Sequence, residues 1–165
     1  MSVHVRLAEP GDDEALVDVD DATWGPWSSP VERPDRATRS SFVDPDDDRT
    51  EHLVAVVDDA VVGYVGLRAV GPSPSHDHVL QISGFGVTPS AQGRGVGRAL
   101  VEAALERARG RGARKVTLAV LGHNAVARRL YERCGFEVEG VLRAEYRLGG
   151  ADVDDVLMAR RLEQG

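Results

Sequence analysis

The sequence predicts an α/β (α+β) domain in which strands and helices interleave. Three observations point there. Strand-like and helix-like stretches follow one another in the order β-α-α-β-β-β-α-β-α-β-β. Val79 to Val87 and Val116 to Val120 flank one long helical stretch, Val96 to Arg109, a strand–helix–strand crossover that calls for a parallel pair. Elsewhere, short turn-forming connections imply hairpins. At 165 residues, the chain reads as a single domain, 1–165, large enough for a real core.

Taken in order, Val3-His4-Val5-Arg6-Leu7 alternates as a first strand, broken by Pro10-Gly11. Asp12 then caps a helix that runs to about Ala22. Trp24 to Asp48 is rich in Pro, Ser, Asp and Arg and reads as a loop with a short helix around Arg36 to Phe42. Leu53–Val57 and Val61–Val70 form a hairpin about Asp58-Asp59-Ala60, and Gly71 to Ser75 is a surface loop. Val79–Val87 carries Gly84 and Gly86, and glycine inside a strand marks a bulge or a close backbone approach.

The next helix is apolar at Val96, Ala99, Leu100 and Ala103, and again at Val101, Ala104, Leu105 and Ala108, so more than half its girth is buried. Gly110 and Gly112 end it. Val116–Val120 is a short buried strand. Asn124 caps a helix whose apolar face is Ala127, Leu130, Tyr131 and Cys134, closed by Gly135. Phe136 and Val138 begin a strand, and a last hairpin runs from about Arg143 to Leu162.

The most informative segment is Gln92-Gly93-Arg94-Gly95-Val96-Gly97. Three glycines in five positions allow turn conformations closed to other residues and remove the Cβ atoms that would hold a ligand off the backbone. Amide N–H groups at the start of the following helix then converge on an anion, with the helix dipole behind them. Arg94 and Arg98 can add charge-assisted hydrogen bonds. This is a phosphate cradle, but not the nucleotide-kinase kind, since no lysine follows the glycines. Nor is it a dinucleotide fingerprint, because Arg98 stands where the third glycine belongs.

What fits is Gln-x-x-Gly-x-Gly after Val87-Thr88-Pro89, joined downstream by Asn124-Ala125-x-Ala127-x-x-Leu130-Tyr131-x-x-x-Gly135-Phe136. With these two signatures the chain resembles the GCN5-related N-acetyltransferases, the GNAT superfamily, over nearly its whole length and most strongly from Val79 to Phe136. The resemblance implies the GNAT fold, a mixed, mostly antiparallel central sheet flanked by helices, with a β-bulge and splayed strands at the cofactor site. It implies acetyl-coenzyme A as co-substrate, its pyrophosphate on Gln92 to Arg98 and its pantetheine arm between the strands Val79–Val87 and Val116–Val120. Contacts from Phe85, Gly86, Val87 and Asn124 follow from the same likeness. So does an N-acetyltransferase activity, with a primary amine of a small molecule as the first acceptor to consider. The alternatives are a protein N-terminus or lysine, and a module that senses acetyl-coenzyme A without turnover.

Acetyl transfer from a thioester to an amine has four needs: a held cofactor, a polarised carbonyl, a deprotonated amine and a protonated leaving thiolate. A bulge at Gly84-Phe85-Gly86 would free a strand N–H near Val87 for the carbonyl, and a preorganised donor of that kind is worth ~3 kcal/mol. Tyr131 lies seven residues beyond Asn124, on the same helix face, where the resemblance puts a general acid. A phenol of pKa about 10 protonates a thiolate of about 8.5 only modestly uphill. Spacing alone also fits Tyr131 as a packed core residue. Some family members carry a glutamate base eleven residues before the cradle glutamine. Here that position is Gln81, an amide without useful basicity that can at most hold a water. His76, Asp77, His78 and His123 are other candidates, and the base stays unassigned. By resemblance the acceptor meets the loop after the first helix, with Trp24 and Trp27, and the last hairpin near Arg143 to Tyr146. The two tryptophans wall a pocket or plug that end of the core.

Charge is unevenly spread. Residues 1–59 hold 16 acidic and 5 basic side chains, and residues 60–165 hold 11 and 15, for a net −7. The acidic half either draws cationic acceptors or serves as a solubilising surface. An acidic chain without a basic stripe excludes nucleic-acid binding. No membrane-length apolar run and no signal-peptide core occur, so a cytoplasmic protein is expected, with a homodimer among the assemblies open to it. The single cysteine, Cys134, suits a reducing compartment and reads as a packed small hydrophobe. The five scattered histidines suggest no metal site.

Overall fold

Strand-forming residues gather into one sheet that divides two layers of helix. The computed structural model describes residues 2–163; Met1, Gln164 and Gly165 of the expected domain lie outside them. The strands are β1 (His4–Leu7), β2 (Thr50–Val57), β3 (Ala60–Ala69), β4 (Val79–Val87), β5 (Lys115–Leu121), β6 (Glu137–Leu148) and β7 (Ala151–Arg161). Helices α1 (Asp13–Thr23), α2 (Val96–Gly110) and α3 (Ala125–Arg133) complete the order. Among the described residues the sheet runs β1-β2-β3-β4-β5-β7-β6. Every adjacent pair is antiparallel except β4 with β5, the crossover pair that α2 connects. No helix among them is long and apolar enough to cross a membrane.

Alternation along the strands divides the core. Leu53, Ala55, Val65, Leu67, Leu80 and Ile82 face α2, with Leu100, Val101, Ala104 and Leu105 packed on them. Val54 and Tyr64 face the other way, toward Leu16 and Val19 of α1, with Phe42 and Val43 closing that side. The hairpin between β2 and β3 turns on Asp58 and Asp59, both at positive φ, the two-residue turn whose twist suits paired strands.

Two expectations change. The segment Arg36 to Phe42 is a single turn followed by irregular chain, not a short helix: Asp35 Oδ1 accepts from Ala37 N at 2.9 Å and Thr38 N donates to Asp35 O. Its side chains are pulled to groups strung along α1, which a helix would turn to different sides. Arg36 reaches Asp18 and Asp21, Arg39 reaches Asp20 and Asp21, and Asp13 Oδ1 accepts from Ser41 Oγ and from the Phe42 and Val43 amides. The last hairpin is also longer than expected, since one strand continues from Glu137 to Leu148 before the Gly149-Gly150 turn.

Candidate active site

β4 and β5 pair only over Val79–Gln81 with Lys115–Thr117. Beyond that, β4 stays with β3 as far as Val87, while β5 stays with β7 as far as Leu121. The facing edges Ile82–Val87 and Leu118–Leu121 therefore part, as expected, and leave a cleft about 20 Å long at ~3.3 Å per residue. The β4 bulge lies one residue earlier than expected. Gly66 pairs with Gly84 and Leu67 with Ile82, so Ser83 is the extra residue. Gly84 and Gly86 serve a close approach instead. A Cβ on Gly86 would stand 2.8 Å from Thr23 Oγ1 and 3.2 Å from the Tyr64 ring, which also covers Gly84.

The backbone beyond the bulge is aimed into the cleft. Thr88 N donates to Val62 O on β3 at 2.8 Å, so Val87, the residue before it, turns its N–H and C=O toward the open side. Gln92 Nε2 donates to Val87 O at 3.0 Å and fastens the glycine turn to the strand. Gly93 and Gly95 sit at φ 71° and 84°, and a Cβ built on either would meet no protein atom within 4 Å. Conformation, not crowding within the protein, requires glycine there, and the space beside it is open to a ligand. Gly95 is the N-cap of the 15-residue α2 and no side chain caps that end. The first intrahelical bond is Ala99 N to Gly95 O, which leaves the Val96, Gly97 and Arg98 amides without intrahelical partners. Arg94 is exposed, and Arg98 pairs with Glu102 at 2.7 Å on the solvent side. Such a surface pair is weak enough to yield to a phosphate.

Gly97 lets α2 close on its neighbours: its Cβ would lie 3.1 Å from Leu130 and 3.2 Å from Phe85. Phe85 in turn meets Tyr131 edge-on at 6.0 Å, and Tyr131 meets Phe136 at 5.8 Å. Tyr131 is 6% exposed. Arg39 Nε is the only sealed, unpartnered side-chain nitrogen or oxygen among the described residues, so the Tyr131 hydroxyl, which no described group binds, keeps some contact with the outside. Burial first, and Cys134 second, push its pKa above the usual tyrosine range, so it stays protonated as a proton donor must. Asn124 caps α3, its Oδ1 accepting from Ala127 N at 3.1 Å, and keeps its amide N–H₂ for a ligand. Cys134 is buried and its thiol is pushed up by burial, as suits a packed residue.

The remaining candidates divide. Gln81, the last β4 residue paired with β5, has its carbonyl oxygen taken by Arg68, whose Nε and Nη2 donate at 2.9 and 2.6 Å. Both lone pairs are used, which leaves only the amide N–H₂ of Gln81 to hold a water. The sequence carried no sign of Arg68, which is brought in from β3. His76 and Asp77 are exposed before the start of β4, at the far end from the cradle. His123 ties down the tryptophan loop: its Nε2 lies 2.9 Å from Pro26 O and its ring meets Trp27 edge-on at 4.6 Å. Trp27 remains 66% exposed, and Trp24 Nε1 donates to Val31 O. The loop thus runs from α1 to the β5–α3 corner, with Trp27 outside the core. Arg6, Arg36 and Arg39 pair with Asp12 and with α1 carboxylates inside the acidic segment itself, and only Arg107 and Arg111, both on Glu51, reach it from outside, so most of the acidic excess stays unpaired.

Known proteins resemble this chain in sequence and in overall fold. The sequence model of the acetyltransferase (GNAT) family matches residues 16–136. The N-alpha-acetyltransferase RimI of Mycobacterium tuberculosis is 39% identical over 92 residues, 56% of this chain and 55% of that protein. A mycothiol acetyltransferase of Beutenbergia cavernae is 44% identical over 79 residues, 48% of this chain and 25% of that one. The chain thus matches about half the length of the first and a quarter of the second. The solved GCN5-related N-acetyltransferase of Kribbella flavida superposes with a TM-score of 0.80 at 31% identity, over 97% of this chain and 98% of that one.

Proposed function

We propose that this chain, which belongs to the acetyltransferase (GNAT) family, transfers an acetyl group from acetyl-coenzyme A to a primary amine of a small molecule by direct attack on the thioester. The observation that carries this reading is the uncapped N-terminus of α2, with its two positive-φ glycines, opening beside a parted pair of parallel strands. The Val96 to Arg98 amides would receive the pyrophosphate, with Arg94 and Arg98 as counter-charges. The unpaired edge of β4 suits an extended pantetheine arm, and the Val87 N–H aimed into the cleft is a donor for a backbone or thioester carbonyl. Tyr131, protonated and open to the same space, delivers the proton to the departing thiolate. The transfer would be the work of one domain that spans the sequence.

The acceptor class has one further observation to weigh. The likeness to RimI favours a protein α-amine as the second reading. Thiol release measured with acetyl-coenzyme A against a panel of small amines and N-terminal peptides tests both. Saturable release with a small amine supports the proposal, and release with peptides alone moves the acceptor to protein. Binding of acetyl-coenzyme A with no amine-dependent release would leave only a sensing module.

A further inference from the structure

Three carboxylates among the described residues are buried: Asp12, Asp20 and Asp155. Arg6 holds Asp12 at 2.6 and 2.9 Å. Arg39 holds Asp20 at 2.5 Å, and Tyr64 donates to it as well. Asp155, 8% exposed, has no cation and no hydrogen-bond donor among the described residues. A buried carboxylate with no protein cation is suited to a cationic ligand wherever its oxygens can be reached. Its oxygens are not sealed from the outside.

Register fixes the direction in which Asp155 points. It pairs with Leu121 of β5, on the row of Thr117 and Ala119, the face opposite Val116, Leu118 and Val120, which pack under α2. That is the α1 face, to which Gln81 and Tyr64 also turn. Ala119 is exposed on it, so β5 forms a low floor between Asp155 and the cleft, one strand spacing of ~4.8 Å wide. The tryptophan loop walls one side of this floor by its tie to His123.

β6 supplies the other wall and a second charge. Leu142 pairs with Asp155 and Tyr146 with Val153, so Arg143, Ala144 and Glu145 stand opposite the single residue Asp154. Ala144 takes φ 50° and donates its N–H to Asp154 Oδ1 at 2.8 Å, which fixes the bulge. A bulge re-aims the side chains around it. The result brings Glu145 to bear on Asp155: burial first and then Glu145 raise the Asp155 pKa, while burial, Asp155 and Glu145 raise that of Tyr146. Glu145 and Tyr146 of β6 are the titratable groups that face Asp155. Its β5 and β7 neighbours on that face, Leu121, Ala119, Leu157 and Val153, are apolar.

We propose that Asp155, with Glu145 beside it, receives the ammonium group of the acceptor and takes its proton. The inference rests on the acetyl-transfer reading and supplies the base which that reading lacks. An N–H bond of the ammonium breaks, an O–H bond forms on Asp155, and the nitrogen keeps the electron pair. That pair forms the C–N bond as the C–S bond breaks, and the thiolate takes the Tyr131 proton. The second proton lost by nitrogen as the amide forms restores Tyr131, and Asp155 returns its own to solvent. The acceptor is therefore a cationic primary amine, and an apolar stretch next to its nitrogen would lie across Ala119.

The test pairs Asp155→Asn with Glu145→Gln, using the full chain, acetyl-coenzyme A and the best amine of the panel. Asp155→Asn should lower kcat/KM for the amine at least ~10²-fold and abolish the acid limb of its pH profile. Affinity for acetyl-coenzyme A should hold. Its Tm at pH 7 should equal or exceed that of the wild type, because a raised carboxylate pKa withdraws stability as pH climbs through it; near pH 3 the two should converge. Glu145→Gln should move the acid limb to lower pH by removing a like charge. An Asp155→Asn variant with kcat/KM within 3-fold of wild type, a surviving acid limb, or a limb that Glu145→Gln leaves in place would each overturn the inference. A wild type that turns over no amine at all would instead overturn the acetyl-transfer reading beneath it.

Discussion

Arg39 meets Asp20 at 2.5 Å with both side chains 8% exposed, and the other oxygen of Asp20 accepts from the Tyr64 hydroxyl. The pair joins the strap after α1 to the helix, and through Tyr64, whose ring lies over Gly84 and Gly86, to β3. Removing one member of a buried pair leaves the other charged and desolvated. Arg39→Met should therefore destabilise the fold by about 3 kcal/mol or more, seen as a lower urea midpoint. Arg36→Met, whose pairs lie in solvent, should leave the midpoint nearly unchanged. Equal effects would mean that the strap is held by its many contacts alike and not by this pair.

Gly95 and Gly112 offer a matched comparison. Both hold positive φ, 84° and 80°, and neither would bring a Cβ within 4 Å of the protein. Alanine at either should remove roughly 1–2 kcal/mol of stability through backbone strain alone. Only Gly95→Ala should weaken acetyl-coenzyme A, by about tenfold or more in calorimetry, because its methyl enters the space left for the pyrophosphate. Equal affinities for the two variants would remove the cradle from this turn.

Tyr131→Phe deletes a hydroxyl that no group among the described residues binds, so stability should shift by less than about 1 kcal/mol. Turnover at saturating substrates should fall ~10²-fold with cofactor affinity kept. Since burial raises the pKa of this phenol, it should produce no alkaline limb in kcat below about pH 10. Full turnover in the variant would return Tyr131 to packing alone.

Gln81→Glu restores a carboxylate where some relatives by resemblance carry a base. Arg68 stands ready to pair with it at hydrogen-bond distance, which would hold that carboxyl low and its charge occupied. The variant should gain no activity, and its kcat/KM should show no new acid limb. A several-fold gain would mean that the Arg68 contact yields to substrate.

The elements whose cause is local were legible in the sequence. The β2–β3 turn, the Asn124 cap and the glycine turn each follow from what a few adjacent residues can adopt, and each stands where the residues put it. The parted strands came only through the resemblance, because nothing in Ile82 to Val87 forbids continued pairing with β5. Contacts between distant positions stayed hidden. Arg39 and Asp20 are 19 residues apart and Tyr64 and Asp20 44, and no pattern links them. The expected helix at Arg36 to Phe42 failed for the same reason, since α1 decides where that segment's side chains go. The acidic excess of the first 59 residues was plain, but not that the segment's own Arg36 and Arg39 are spent on α1. Asp155 was masked by its setting: in Asp152-Val153-Asp154-Asp155 one aspartate looks like another until register turns only the last toward the buried floor.

The central claim is direct transfer from acetyl-coenzyme A to an amine within this cleft. It is tested most directly by carbon-13-labelled acetyl-coenzyme A and the wild-type chain, with the label followed by mass spectrometry in a single turnover. The account predicts label on the amine nitrogen in step with free thiol, one for one, and none on the protein, where the only thiol, Cys134, is buried. Label retained on the protein, or released as acetate without acetylated amine, would contradict it.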